Sequence, residues 1–136
     1  MENSFQKYKE NSILSMSQPE LLLLCFDEAI RNLRKAQISL DDKEYEYFEA
    51  SLQKTSRIIR YLTVTLEMNV PISADLKRLY NYINFDIGRL LAGRERRKDE
   101  LPALIQILAD LREGFEGASR EAGNAAQGPS ETGIVV

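Results

Sequence analysis

The sequence predicts an all-α protein: an antiparallel up-and-down four-helix bundle with an N-terminal covering segment and a disordered C-terminal tail. Three observations carry that expectation. Apolar residues recur with the 3.6-residue period of a helix nearly everywhere and with the two-residue period of a strand nowhere. The periodic stretches begin and end on capping and turn residues and are joined by short connections, which favour antiparallel neighbours. A chain of 136 residues can bury one sizeable core but not two, so a single domain is expected.

Residues 1–16 form the first unit. "MENSFQKYKENS" is polar, and Phe5, Tyr8, Ile13 and Leu14 punctuate this segment without any long helical period, which suits a detachable cover lying against the bundle. The bundle itself is assigned to residues 17–118. Ser17-Gln18-Pro19-Glu20 reads as a capping box: the Ser17 hydroxyl accepts from the Glu20 amide, the Glu20 carboxylate reaches back, and Pro19 needs no amide partner in the first turn. The first stripe is Leu22, Phe26, Ala29, Leu33, Ala36 and Leu40. Asp41 and Asp42 turn the chain into a second stripe, Tyr45, Phe48, Leu52, Thr55, Ile59, Leu62 and Leu66. "NVPIS" around Pro71 leads to the third, Leu76, Leu79, Tyr80, Ile83, Ile87 and Leu90. "AGRERRKDE" leads to the fourth, Leu101, Leu104, Leu108, Leu111 and Phe115. Residues 119–136 lose the period and gain Gly, Ala and Ser, hence a disordered tail.

Composition removes most chemistry. With no histidine, the chain lacks the commonest general base, the phosphoacceptor of histidine-phosphotransfer bundles and the Glu-x-x-His pairs of di-iron bundles. There is no glycine-rich phosphate loop, and the acidic pairs Asp41/Asp42 and Asp99/Glu100 precede helices, where they complement the macrodipole. No catalytic, cofactor-binding or metal-ligating residue is assigned. The single Cys25, between Leu24 and Phe26, reads as a small buried hydrophobe and argues against disulfide scaffolds. A net charge of −3 points to neither nucleic acid nor an anionic membrane as partner, and Glu95, Asp99 and Glu100 dilute the basic cluster Arg94, Arg96, Arg97 and Lys98. The polar start and the shortness of the leucine run, too short to span a bilayer, place the chain in the cytoplasm.

A surplus of apolar side chains off the core stripes remains. "PELLLLCFDEAI" turns four consecutive leucines almost fully around a helix axis, more than one stripe can use. On the second helix Tyr47, Ile58, Tyr61 and Thr65 cluster roughly 100° from the main stripe, and on the third Tyr82 and Phe85 point away from the core face. Tyrosines do snorkel at core edges, yet several on adjacent helices fit a protein-recognition surface.

Taken in order, Phe5-x-x-Tyr8, Ser17 to Ile30, "LTVTLE" from Leu62, "DLKRLYNYI" from Asp75 and "LADLREGF" from Leu108 resemble the flagellar secretion chaperone family, FliS-type, over roughly residues 5 to 118. Phe5 and Tyr8 match an aromatic pair that precedes a Ser/Thr-Pro helix start. Cys25 to Ile30 match the family's Leu-Tyr-Asp-Gly-Ala-Ile, Leu62 to Glu67 its Leu-Asn-x-Thr-Leu-Asp, and Leu79 to Ile83 its Leu-Tyr-Asp-Tyr-Met. Departures are Gln18 for the usual Ser/Thr before proline, one extra residue between Tyr8 and Pro19, Phe85 and Asp86 where two arginines are common, and Phe115 for a tryptophan.

The resemblance implies a non-enzymatic chaperone of the bacterial cytosol. It would bind the disordered C-terminal segment of flagellin, prevent premature polymerisation and deliver the client to the flagellar type III export apparatus, without ATP or cofactor. An export-gate component or an anti-sigma factor is a further partner to consider. The partner-binding residues expected are Phe5, Tyr8, Tyr47, Ile58, Tyr61, Thr65, Tyr82 and Phe85, with Leu22 facing the bundle and Leu21, Leu23 and Leu24 shielded by the cover or the client. A generic helical adaptor or a homodimeric bundle would use the same patch on other partners, and a small helical enzyme would need polar groups converging in a pocket.

Overall fold

Ser17 starts the first long helix much as its sequence suggests. Its Oγ accepts from the Glu20 amide at 3.4 Å, and its hydroxyl donates to the Glu20 carboxylate at 2.9 Å, so Glu20 engages the cap through the hydroxyl. The structure, a computed structural model, describes residues 7, 10–13 and 15–135, with side chains described as far as Glu121. Four long helices follow: α1 (Gln18–Asp41), α2 (Tyr45–Val64), α3 (Ser73–Gly93) and α4 (Glu100–Val135). A 3₁₀ turn, Arg94–Arg97, joins α3 to α4, and among the described residues there is no strand.

The turns are set by local chemistry. After α1, the Asp42 amide donates to Ile38 O at 3.0 Å and the Glu44 amide to Ser39 O at 2.8 Å, while Lys43 takes a left-handed φ of 58°. This is the geometry that closes the last carbonyls of a helix and reverses the chain. Before α3 the Ser73 hydroxyl donates to Glu67 O at 2.6 Å, tying the helix start back across its loop. Arg94, at φ 50° and ψ −124°, turns the chain out of α3. That conformation is costly for a residue with a side chain, and here the guanidinium lies 4.1 Å from the Tyr45 ring centre, with Glu49 at 4.0 Å.

Long-range pairs establish the antiparallel order. Tyr45, at the start of α2, donates its hydroxyl to Glu95 at 2.5 Å beyond the end of α3. Arg112, well along α4, reaches Asp27 near the start of α1 at 2.5 Å, while Lys98 ahead of α4 lies 4.0 Å from Asp41 at the end of α1. α1 packs between α2 and α4, α3 packs mainly on α2, and the α3–α4 seam is the thinnest. The expected all-α up-and-down bundle is the observed one.

The core consists of the predicted stripes. Phe26, Ala29, Leu33, Ala36 and Leu40 of α1 meet Phe48, Leu52, Ile59 and Leu62 of α2, Tyr80, Ile83, Ile87 and Leu90 of α3, and Leu101, Leu104 and Leu108 of α4, all essentially without solvent exposure. The Phe26 ring stacks at a tilt on Phe115, centroids 5.2 Å apart. Thr55 fits among them because its hydroxyl donates to Ser51 O at 3.0 Å, leaving no orphan polar atom. The helical backbone of α4 continues through residues 119–135, the stretch read from sequence as a tail, although Phe115 is the last described side chain on the core. Adding residues to an already nucleated helix requires no further tertiary contact.

Candidate functional site

All four leucines of the run 21–24 are half-buried, and their division of labour follows from helix angles. Leu22 packs on the core. Leu24 and Cys25, two and three residues further along the helix, turn to the seam between α1 and α2 and form one wall of an open groove of about 390 Å³. Glu28 and Asn32 extend that wall by a turn each. The facing wall is Lys54, Arg57, Ile58 and Tyr61 of α2. These positions stand at i, i+3, i+4 and i+7, one continuous face of a helix. Floor and walls are apolar at Leu24, Cys25, Ile58 and Tyr61. The rims carry charge, Glu28 on one side, Lys54 and Arg57 on the other.

Burial pushes the Cys25 thiol up from its ordinary value, keeping it protonated and a poor nucleophile. The Asn32 amide donates to Glu28 O at 2.8 Å, so it braces α1. Among the described residues no three or more His, Cys, Asp or Glu side chains come together as metal ligands would, and no helix is long and apolar enough to cross a membrane.

The expected partner-binding residues are not all brought together. Ile58 and Tyr61 line the groove. Tyr47 lies on the same face of α2, two turns before Lys54, but is 66% exposed and outside the groove. Thr65 sits just past the end of α2, where its hydroxyl donates to Leu62 O at 2.9 Å and helps finish the helix. Tyr82 and Phe85 are exposed on α3, away from the groove. Phe85 lies beside Arg89, whose guanidinium reaches Glu100 of α4 at 3.5 Å, so this pair belongs to the α3–α4 side of the bundle. Tyr80 of the same motif is a core residue, its phenol pushed up to about 12 by burial. Phe5 and Tyr8 lie outside the described residues. Of the groove's lining, Leu24 was expected only to be shielded by the cover or the client, and Cys25, Glu28, Asn32, Lys54 and Arg57 were not assigned from sequence. The available signal was the leucine run, whose surplus apolar angles had to face something.

Beside Phe85, Asp86 is buried at 2% exposure, one carboxyl oxygen without a hydrogen bond, Arg89 at 3.8 Å. Burial raises its pKa above the ordinary carboxylate value and Glu100 adds to the rise, against the opposing pull of Arg89. In place of a paired surface charge, the α3–α4 corner holds a carboxylate in tension with its site.

Four antiparallel helices with an apolar, charge-rimmed groove between α1 and α2 define a helical bundle that presents a candidate docking face. The family model described as Flagellar protein FliS matches residues 1–122. The chain belongs to the FliS family. It is 26% identical over 83 residues to the flagellar secretion chaperone FliS of Bacillus subtilis (strain 168), a stretch covering 61% of this chain and 62% of that relative. A solved structure described as the crystal structure of a flagellar chaperone from bacteria shares its fold, with a TM-score of 0.71 at 23% identity, covering 88% of this chain and 97% of the other.

Proposed function

We propose that this protein is a cytoplasmic export chaperone that binds the disordered C-terminal segment of flagellin, prevents its premature polymerisation and delivers it to the flagellar type III export apparatus. The observation that carries the reading is the apolar groove between α1 and α2 in a chain of the FliS family. An amphipathic segment that becomes helical in a filament presents, as a monomer, an apolar face that can pair with its own kind. A groove walled by Leu24, Ile58 and Tyr61 offers that face a substitute partner, and the polar rims keep the complex in solution. Such coupled folding typically buries on the order of 1,000–3,000 Å² while ordering costs about 2–5 kcal/mol, which leaves affinity firm yet reversible. Release then needs a competing site on the export machinery rather than ATP.

Tyr47 stands on the same face of α2 but beyond the end of the groove, outside the stretch a bound segment would cover. Tyr82 and Phe85 would be reached by a client long enough to pass around α3. Calorimetric titration of full-length flagellin and of flagellin lacking its C-terminal segment tests the reading. Full-length flagellin should bind with a negative heat-capacity change and the truncated form should not. Equal binding of both forms would overturn it.

A further inference from the structure

Along the chain, Glu95, Asp99 and Glu100 dilute the basic run Arg94, Arg96, Arg97 and Lys98. The fold sorts these charges onto different faces. Glu95 turns toward α2, where the Tyr45 hydroxyl donates to it at 2.5 Å, and the Arg94 guanidinium lies over the same Tyr45 ring. Lys98 and Asp99 turn toward the end of α1 and line a groove there with Asp41. Arg96 and Arg97 are left, and they join Arg89 of α3 around an open cavity of about 460 Å³, whose remaining lining is Ala92 and Gly93.

Three guanidiniums thus line one cavity, and little negative charge balances them. Glu100 accepts from Arg97 at 3.3 Å and lies 3.5 Å from Arg89, so one carboxylate is shared between two cations. Asp86, 3.8 Å from Arg89, is buried, and its burial together with Glu100 pushes it toward the neutral form. Arg96 has no ion-pair partner among the described residues, and its Nε donates to Gly93 O at 3.5 Å, which leaves both terminal nitrogens free. Gly93 makes room for the arrangement: a Cβ there would stand 2.9 Å from Cγ and Cδ of Arg97.

An anion seated among the three cations would relieve their mutual repulsion. Each guanidinium carries five donors in a planar fork that matches phosphate oxygens in pairs. A single carboxylate brings two oxygens and one charge, which Glu100 already supplies, so the unspent donors suit a ligand with more of both. The cavity volume falls in the range of small-molecule sites. We propose that this corner of α3 and the 3₁₀ turn binds a small polyphosphate, the diphosphate group of inorganic pyrophosphate or of a nucleotide, through Arg89, Arg96 and Arg97. The site shares no residue with the α1–α2 groove, and the inference does not depend on what that groove binds.

Calorimetric titration of the full chain with inorganic pyrophosphate and, in parallel, with ADP, both in magnesium-free buffer, tests it. The expected result is saturable one-site binding with a dissociation constant below about 1 mM that weakens with added salt, and a melting temperature raised by the ligand. ADP binding more tightly than pyrophosphate assigns the source to a nucleotide, and the reverse order assigns it to the free anion. Arg96→Gln should weaken binding tenfold or more. Arg94→Gln and Lys98→Gln remove the same charge from other faces and should change it less than twofold. Gly93→Ala keeps every charge and displaces only the Arg97 stem, and it should weaken binding threefold or more. A circular dichroism melt on each variant verifies folding. No binding at millimolar pyrophosphate overturns the proposal. So do equal losses in Arg94→Gln, Lys98→Gln and Arg96→Gln, which would mark general charge attraction, and an unchanged affinity in Gly93→Ala, which would mark attraction without a formed pocket. A polyglutamate peptide that binds where pyrophosphate does not would overturn it in favour of an acidic protein partner.

Discussion

Tyr61→Ala tests the groove with a magnitude taken from its exposure. Tyr61 is 40% exposed, so that fraction of the ring is what a client can still cover. Taking about 200 Å² for a tyrosine side chain, the available area is roughly 80 Å². At about 25 cal/mol per Å² that is worth about 2 kcal/mol, or roughly a thirtyfold weakening of the dissociation constant when the ring is removed. Differences between variants in buried area are the more dependable form of this bookkeeping. The assay is calorimetric titration of flagellin's C-terminal segment, with thermal melts showing that each variant is folded at the titration temperature. Tyr47→Ala is the internal comparison: its ring is more exposed but lies outside the groove, and its loss should change affinity less than threefold. A Tyr61→Ala protein that stays folded and binds within twofold of the natural chain refutes the groove. If Tyr47→Ala weakens binding as much, contact follows exposure and the groove has no special part.

Further outcomes are expected elsewhere. Asp86→Asn removes a buried carboxylate whose folded pKa is raised; the natural protein therefore has its full benefit from this group below the unfolded value near 3.8 and loses it as pH rises through the higher folded value. The variant should be more stable at neutral pH by about 1–2 kcal/mol, with a flatter acid limb in melts taken across pH; a lower melting point at pH 7 would contradict this. Phe26→Ala opens a cavity under Phe115 in a fully buried site, and urea unfolding should report a loss of about 3–5 kcal/mol. Removing residues 120–136 should leave the melt and the client affinity within about threefold of the natural chain, since the last described core contact is Phe115. Tyr82→Ala/Phe85→Ala should weaken binding of a long flagellin segment but not of one just long enough for the α1–α2 groove, and equal effects on both would move the site to α3.

The elements of this fold were legible in the sequence because each helix repeats its instruction every three to four residues. Phe48, Leu52, Thr55, Ile59 and Leu62 are all fully buried or nearly so, and Ser17 caps as its spacing to Glu20 suggests. The family was legible too, since motifs in the right order survive changes such as Phe115. The site was only half legible. Ile58 and Tyr61 stand off the core stripe and announce themselves, whereas the opposite wall, Leu24 and Cys25, lies inside a leucine run that points in every direction at once. Asp86 enters the sequence reading only as a departure from a pair of arginines, and its burial where α3 meets the start of α4 is visible only in the fold. One-dimensional periodicity fixes the angle of a side chain about its own helix axis. Which neighbour stands at that angle is settled by the order and tilt of the helices around the bundle. That is why Tyr61 and Tyr82, equivalent as off-core aromatics in the sequence, face different flanks of the folded protein.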